Sequence, residues 1–449
     1  MKHYILLVTA LSLISCSDFL ELKPDRKMDI PNTLADCDLL LNDYTAMNGS
    51  YPALTSLMGE EFYMSTEDWQ SIPDVGDRLS FIWSDDAPTA NVNWVGPYRA
   101  IYMANQILLV CEALSEEERA SEYGRMVMGN AYFFRAFAYQ QLLELYCLPY
   151  DGTATTQLGL PLKLTPDLAP TEGRAPLSES YDLVIRDYEK AIHLLSASSV
   201  AKSRPNKTAA YAGMARLYLD MQDYGKAYSY ADSAWTLQPT LMDYNGLDLY
   251  DEMSIPKNNS EIIFTALTNY SGAIGPYSSR IDSDLIDLYE PFDLRMQVYY
   301  QYNYFDPGTY GYKTNYDQSY IGLFIGLTSS EVLLIRSESA ARLGDALQAR
   351  KDINLLRKYR FDNGRYADVD WEDSQLLPEI LKERRKELIF RGRRWADLKR
   401  LNNEVPTQTT VARIIDGIPY RLVPHSLKFA ALIPEVVMQS NPKIEQNKR

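Results

Sequence analysis

The tetrad Asp187-Tyr188-x-x-Ala191 returns 36 residues later as Asp223-Tyr224-x-x-Ala227. Around the second copy, Tyr211, Ala215 and Tyr218 precede the tetrad, and Ala231, Ala234 and Pro239 follow it. Small residues at helical spacing let two helices approach closely, while large ones fill the gaps beside them. This order of small and large residues resembles the tetratricopeptide repeat, whose period is about 34. Gly344-Asp345-x-x-x-Ala349 reads as a further, degenerate copy. Three related helix pairs imply an all-α scaffold. Helices are expected near 122–146, 178–197, 207–221, 224–237, 329–343 and 345–360, with another opening after Pro97.

Two stretches break the pattern. Residues 17–98 are irregular and interrupted by prolines. Residues 240–328 mix short strand-like runs, such as Glu261-Ile-Ile-Phe-Thr265, with Gly, Pro and Asn. Eleven of the 34 tyrosines fall between Tyr270 and Tyr320, so this stretch reads as an insertion displayed on the scaffold. Near the end, Leu381 to Leu401 reads as one arginine-rich helix in which Glu387 and Arg391 form an i,i+4 pair. The formal charge is −15, which argues against nucleic acid as a partner. The arginine run therefore reads as a solvated or internally paired helix face.

The amino terminus is an address. Lys2 and His3 precede the apolar run Tyr4–Leu13, too short to span a bilayer but suited to a signal-peptide core. Leu13-Ile-Ser-Cys16 follows, in the form of a bacterial lipobox. Residues 1–15 are expected to be removed and Cys16 lipidated, each buried methylene contributing ~0.8 kcal/mol to anchoring. Cys37, Cys111 and Cys147 then remain, an odd count that allows at most one disulfide; Cys111 and Cys147, on helical patterns, read as buried free thiols, and no disulfide framework is expected. Three scattered histidines and no Cys-x-x-Cys or His-Glu-x-x-His point away from metal sites, and no phosphate-cradling glycine loop suggests a cofactor.

Ordered motifs carry a resemblance across essentially the whole chain. They are the lipobox with Cys16-Ser-Asp-Phe-Leu-Glu21, Tyr98-Arg-Ala-Ile-Tyr-Met-Ala-Asn105, Arg135-Ala-Phe-Ala-Tyr139 and Gly159-Leu-Pro-Leu162. Ser260-Glu-Ile-Ile-Phe264, Glu383–Leu398, Ile433-Pro-Glu435 and Asn441–Asn447 complete the series. Together they resemble the SusD/RagB proteins of Bacteroidetes. The resemblance implies an outer-membrane, cell-surface lipoprotein that is not an enzyme. It implies tetratricopeptide-like helix pairs (about 99–239 and 329–401) carrying ligand-face loops (about 17–98 and 240–328) in one domain over 16–449. It implies a SusC-type TonB-dependent transporter as partner and a captured nutrient, usually an oligosaccharide and sometimes a peptide. The family commonly has Glu-Gly after the phenylalanine of the late motif, where this chain has Arg391-Gly392.

A sugar-binding surface needs flat apolar faces beside polar groups. Trp69 and Trp83, with Asp68 and Asp85, are candidates in the first loop region, and Tyr277, Arg280, Tyr310 and Tyr312 in the second. The competing reading has these aromatics packing loops onto the scaffold or meeting the transporter. Trp94, Trp235 and Trp395 read as structural. A helical-barrel glycoside hydrolase, which needs two carboxylates about 5–9.5 Å apart, and a scaffold binding only protein are the rival classes.

Overall fold

The computed structural model describes residues 31–449, except 87–89, 168, 170–172, 314–315 and 320–321. The leader, Cys16, residues 17–30 and Tyr320 lie outside the described residues.

Ten longer helices form the scaffold: α1 (Leu34–Leu41), α2 (Val92–Ala113), α3 (Glu122–Tyr146), α4 (Leu177–Leu194), α5 (Lys207–Asp220), α6 (Tyr224–Leu237), α7 (Ser329–Arg342), α8 (Ala346–Lys358), α9 (Asp373–Glu387) and α10 (Arg393–Leu401). They stack in chain order from α2 to α8, each against the next, and α9 packs on α7. α3 is the centre. From Gly129 to Tyr146 every residue but Tyr132 is buried, so the helix is covered on all sides. Its start is fixed by Ser121, whose Oγ accepts the Gly124 N–H at 3.0 Å.

All three helix pairs are present, α3 with α4, α5 with α6 and α7 with α8, but only the last two share the same turn. Asp223 caps α6 by accepting the Lys226 N–H at 3.1 Å, and Asp345 caps α8 by accepting the Gln348 N–H at 3.0 Å. The preceding residues, Gln222 and Gly344, both adopt positive φ (62° and 85°), so the two turns are equivalent. Asp187 does something else. It lies inside α4, buried, and receives Arg135 through two hydrogen bonds of 2.6 and 2.8 Å.

Further expectations need correction. The first long helix opens at Val92, ahead of Pro97, which sits within it. Gly96 lets this helix lie directly against the chain at Ser50, whose carbonyl a Cβ there would overlap. The stretch before it contains short helices at Tyr44–Met47, Leu54–Met58, Thr66–Ser71 and Val75–Phe81, all but the second with a side-chain N-cap. The arginine-rich helix is broken. α9 ends at Glu387, Phe390 and Gly392 take positive φ (50° and 68°), and α10 begins at Arg393. Glu387 and Arg391 therefore do not form the expected i,i+4 pair. Arg391 stacks over Tyr316 (4.1 Å) and Phe324 (4.6 Å) and donates to Thr328 Oγ1 at 3.1 Å.

The arginine face is internal. Glu387 accepts from Arg360 at 2.8 Å and from Arg295 at 3.4 Å. Arg360 also reaches Glu261 at 2.6 Å, and Arg295 reaches Asp293 and Glu383, each at 2.7 Å. A second cluster joins Arg384 to Asp397 (2.8 Å) and Arg400 to Glu338 (2.5 Å) and Asp397 (2.8 Å). A third joins Arg393 to Glu144 (2.7 Å) and Asp220 (2.9 Å), and Arg216 to Glu331 (2.6 Å). All of these side chains are buried. Burial alone would raise the carboxyl pKa of Glu383 and Asp397. The surrounding cations (Arg295, Lys386 and Arg357 for Glu383; Arg384, Arg400 and Arg393 for Asp397) outweigh it and hold both below the ordinary range.

Residues 240–328 are only partly a displayed insertion. β2 (Ile262–Phe264) pairs antiparallel with β6 (Leu327–Thr328) inside the core. Phe264 lies among Phe133, Phe134 and Phe137 with ring centroids 4.7–5.6 Å apart. Cys37, Cys111 and Cys147 are buried free thiols. No helix among the described residues is long and apolar enough to cross a membrane.

Removing one partner of a buried charge cluster leaves the others desolvated and uncompensated. Arg360→Met is expected to cost about 3–5 kcal/mol, read as a lower midpoint in a urea titration. A midpoint equal to that of the parent would show that the cluster does not hold α9 to Glu261.

Candidate ligand-binding surface

Four short strands bring the two loop regions together: β1 (Phe62–Tyr63), β3 (Arg280–Ile281), β5 (Tyr310–Tyr312) and β4 (Tyr300–Tyr302), in the order β1-β3-β5-β4. Side chains alternate faces along a strand, and residues paired across strands share a face. Phe62 pairs with Ile281 and Tyr300 with Tyr312, and these four lie on the inner face, with the Tyr302–Tyr310 pair at the hairpin end of the same row. Phe62 and Tyr312 pack on Phe390 at 5.6 and 4.7 Å, and the Tyr300 hydroxyl meets that of Tyr289 at 2.8 Å. The other row, Tyr63, Arg280, Gly311 and Gln301, faces outward. Gly311 must lack a side chain here, because a Cβ would overlap the Pro276 carbonyl. That close approach lays the Pro276-Tyr277 segment over the outer face.

The rings of Tyr277 and Phe305 meet edge to face, 5.6 Å apart at 89°. They are 52% and 85% exposed, and the neighbouring Tyr304 is 83% exposed. The turn that carries Phe305 is held by its own hydrogen bonds. Asn303 N–H donates to the Thr309 carbonyl (3.0 Å), Phe305 N–H to Asn303 Oδ1 (3.1 Å) and Gly308 N–H to the Tyr302 hydroxyl (2.9 Å). Gly308 supplies the positive φ of 92° that the turn needs. Tyr302 and Tyr310 pair across the hairpin with rings 5.9 Å apart.

One cation ties the surface together. Arg280 donates to Asp68 at 2.6 Å and also pairs with Asp306 in the turn. Asp68 lies in the short helix Thr66–Ser71, where it also accepts the Ser65 hydroxyl at 2.8 Å. Arg280 thus joins the first loop region to the tyrosine-rich hairpin. Two exposed rings beside a guanidinium shared by two carboxylates offer apolar faces and polar edges to a polyhydroxylated ligand. Both acids here are engaged by one arginine, an arrangement unlike the acid and base flanking a scissile glycosidic bond.

The candidates divide. Asp68 and Arg280 come into direct contact, and Tyr277 lies at the same surface. Tyr310 is half-buried against Tyr302. Tyr312 faces inward onto Phe390, so its ring is not offered to solvent. Trp69 is half-buried and its indole N–H donates to the Arg78 carbonyl at 2.9 Å. Trp83 requires correction. It is 2% exposed, donates to the Met58 carbonyl at 3.0 Å and stacks under Arg413 at 4.5 Å, so it is a core residue. Asp85 is exposed and pairs with Lys428 at 2.9 Å, apart from the Arg280 group. Sequence reading placed Tyr302 and Tyr304 only within the tyrosine-rich stretch and missed Phe305, Tyr63 and Asp306. The Asp306-Pro307-Gly308 turn signal between Tyr302 and Tyr310 is the pattern that marks their hairpin.

Comparisons with known proteins agree on the fold and lineage. A family model described as "starch-binding associating with outer membrane" matches residues 18–219, and one described as the SusD family matches residues 291–420. A SusD-like protein of Formosa agariphila is 25% identical over 520 residues, covering 99% of this chain and 97% of the relative. A crystal structure of a SusD superfamily protein from Bacteroides vulgatus superposes with a TM-score of 0.75 at 22% identity, covering 93% of this chain and 99% of that one. A SusD-like carbohydrate-binding protein from the same organism gives 0.71 at 20% identity, covering 92% and 98%.

Glu61 immediately precedes the sheet and joins it to the turn after α9. Its carboxyl accepts the Phe390 N–H at 2.9 Å and its carbonyl accepts the Asp282 N–H at 3.0 Å. Burial pushes the carboxyl up to about 8, with the Phe390 hydrogen bond opposing. A carboxyl raised in the folded state binds its proton more tightly there than in the unfolded chain. Its contribution is full below the unfolded value and is lost as pH rises through about 8. Glu61→Gln is therefore expected to flatten the decline in urea midpoint between about pH 5 and pH 8. Parallel pH profiles for parent and variant would show that Glu61 is not held protonated.

Proposed function

The chain belongs to the SusD/RagB family, and on that premise we propose that it is a lipid-anchored, surface-facing outer-membrane protein that captures an oligosaccharide. In this reading residues 1–15 are removed, Cys16 carries the lipid, and the body acts as the lid of a SusC-type TonB-dependent transporter. It is a binding protein, not an enzyme. The observation that carries the reading is the exposed Tyr277–Phe305 pair beside the Arg280 group. The rings supply stacking faces for the C–H side of a pyranose, and the carboxylates and guanidinium edge supply hydrogen bonds to its hydroxyls. The turn is pre-ordered by its own hydrogen bonds, so little conformational entropy is lost on binding. The starch-binding description of the matching family model supports a carbohydrate over the alternative cargo, a peptide.

Calorimetry with maltooligosaccharides and a wider panel of neutral oligosaccharides tests this. The double variant Tyr277→Ala/Phe305→Ala is expected to weaken binding about tenfold or more, equivalent to ~1.4 kcal/mol. Trp83→Phe is expected to cost stability by about 1–3 kcal/mol through its lost buried hydrogen bond, with affinity unchanged once folded. Glycan affinity indifferent to the double variant, or binding of peptides alone, would sink the reading. Release of new reducing ends from any panel member would place the protein among the hydrolases instead.

A further inference from the structure

A second concavity shares no residue with the tyrosine surface. It is a groove of about 780 Å³, within the range of about 300–1,000 Å³ typical of ligand pockets. Its walls include Tyr44, Lys202, Lys257, Asn258, Thr265 and Asp317, contributed by four separate stretches of chain. The floor is rigid. Asn48 Nδ2 donates to the Ser203 carbonyl at 3.0 Å and to the Thr265 carbonyl at 2.8 Å, and the Thr265 N–H donates to the Lys202 carbonyl at 2.8 Å.

Two side chains of this groove have no polar partner among the described residues. Lys202 is half-buried and has no carboxylate partner among the described residues. Its burial lowers the pKa of the ammonium, the signature of a cation whose water has been partly removed without replacement. Thr265 is 7% exposed, and its hydroxyl has no hydrogen-bond partner among the described residues. Asn258 turns the chain at the rim with a positive φ of 57°, a left-handed conformation that asparagine tolerates.

The charge balance selects the ligand. Lys257 pairs with Asp317 at 3.1 Å, which neutralises one cation and leaves Lys202 in excess. An ammonium has three donors, so Lys257 can hold Asp317 and still give hydrogen bonds to a ligand. The groove therefore carries a local net positive charge on a chain of formal charge −15. Tyr44 stands at the wall, 40% exposed, its phenol raised to about 12 by burial and by Asp317. An aromatic ring beside cations and neutral donors matches a sugar that carries an acid group.

We propose that this groove is a second binding site, taking an anionic saccharide whose carboxylate or sulfate is held by Lys202 and Lys257 with a sugar ring against Tyr44. The inference rests on the reading of the chain as a carbohydrate binder. It extends that reading from neutral sugars at the tyrosine sheet to acidic ones at a separate place.

The test uses the mature protein and three probes: a galacturonate pentasaccharide, a sulfated galactan oligosaccharide and maltopentaose. At least one acidic probe is expected to bind, with affinity falling about tenfold as salt rises from about 50 to about 500 mM. Lys202→Met is expected to weaken that binding at least tenfold. Lys202→Arg should keep most of it, and Tyr277→Ala/Phe305→Ala should leave it unchanged. Circular dichroism of Lys202→Met separates loss of site from loss of fold. Failure of both acidic probes to bind at millimolar concentration overturns the proposal, as does full binding in Lys202→Met/Lys257→Met or loss in the Tyr277→Ala/Phe305→Ala variant. If maltopentaose binds while the acidic probes do not, the groove fails and the tyrosine surface stands. If none binds, both fail.

Discussion

Two guanidinium groups deep in the protein, Arg295 and Arg360, fix how its parts meet. Both are wholly buried, and between them they engage Glu383 and Glu387 of α9, Asp293 and Glu261. In a low-dielectric interior each charge must find its partner with good geometry, so one arrangement satisfies all and slipped ones satisfy few. Such a cluster contributes more to uniqueness than to net stability, because desolvation offsets much of the Coulombic attraction. Here the cluster binds the end of α9 to the chain entering β2 and to the chain leading into β4. The helical stack and the loop regions thereby hold one another in register.

The ligand surface follows from that junction. Because α9 stops at Glu387, the next residues turn sharply and present Phe390 to the inner face of the four-stranded sheet, where Phe62 and Tyr312 pack on it. The Phe390 N–H closes on Glu61, one residue before β1. A sheet of strands two or three residues long has little stability of its own. It persists here because its inner face is anchored on this turn and its outer face is crossed by the Asp68–Arg280–Asp306 link. The exposed rings of Tyr277 and Phe305 are the visible end of a chain of packing that begins in the buried arginines.

The helices were legible because their signal is periodic and local. α3, α5 and α6 fall within a residue of the ranges that apolar spacing predicts, and capping aspartates mark α6 and α8. What escaped was decided by tertiary context. Leu381–Leu401 keeps helical spacing through its break, and only Gly392 hints at the positive φ that ends it. Asp187 and Asp223 sit in the same tetrad, yet one is a buried ion-pair partner and the other a cap. Tyrosine is the hardest case. Tyr289, Tyr299 and Tyr300 are hydrogen-bonded within the interior, while Tyr277 and Tyr304 from the same stretch are exposed. Trp83 looked like a loop ring flanked by acids, but its indole N–H found a buried carbonyl. An amphipathic side chain serves either solvent or core, and its neighbours in sequence do not say which.

The charge of the chain takes on a different meaning once the arginines are placed. Among the described residues, buried cations and buried acids are nearly equal in number, so the interior is close to neutral. The excess of acids is therefore borne by the surface, where water and salt screen it over roughly 8–10 Å. A neutral oligosaccharide approaching the tyrosine sheet is indifferent to that field, and there the one guanidinium is outnumbered by its two carboxylates. An acidic ligand is not indifferent, and it gains only where cations outnumber acids at close range. Lys202 and Lys257 facing the single Asp317 meet that condition. The same uneven sorting of charge that neutralises the core thus separates two surfaces by the ligands each can accept.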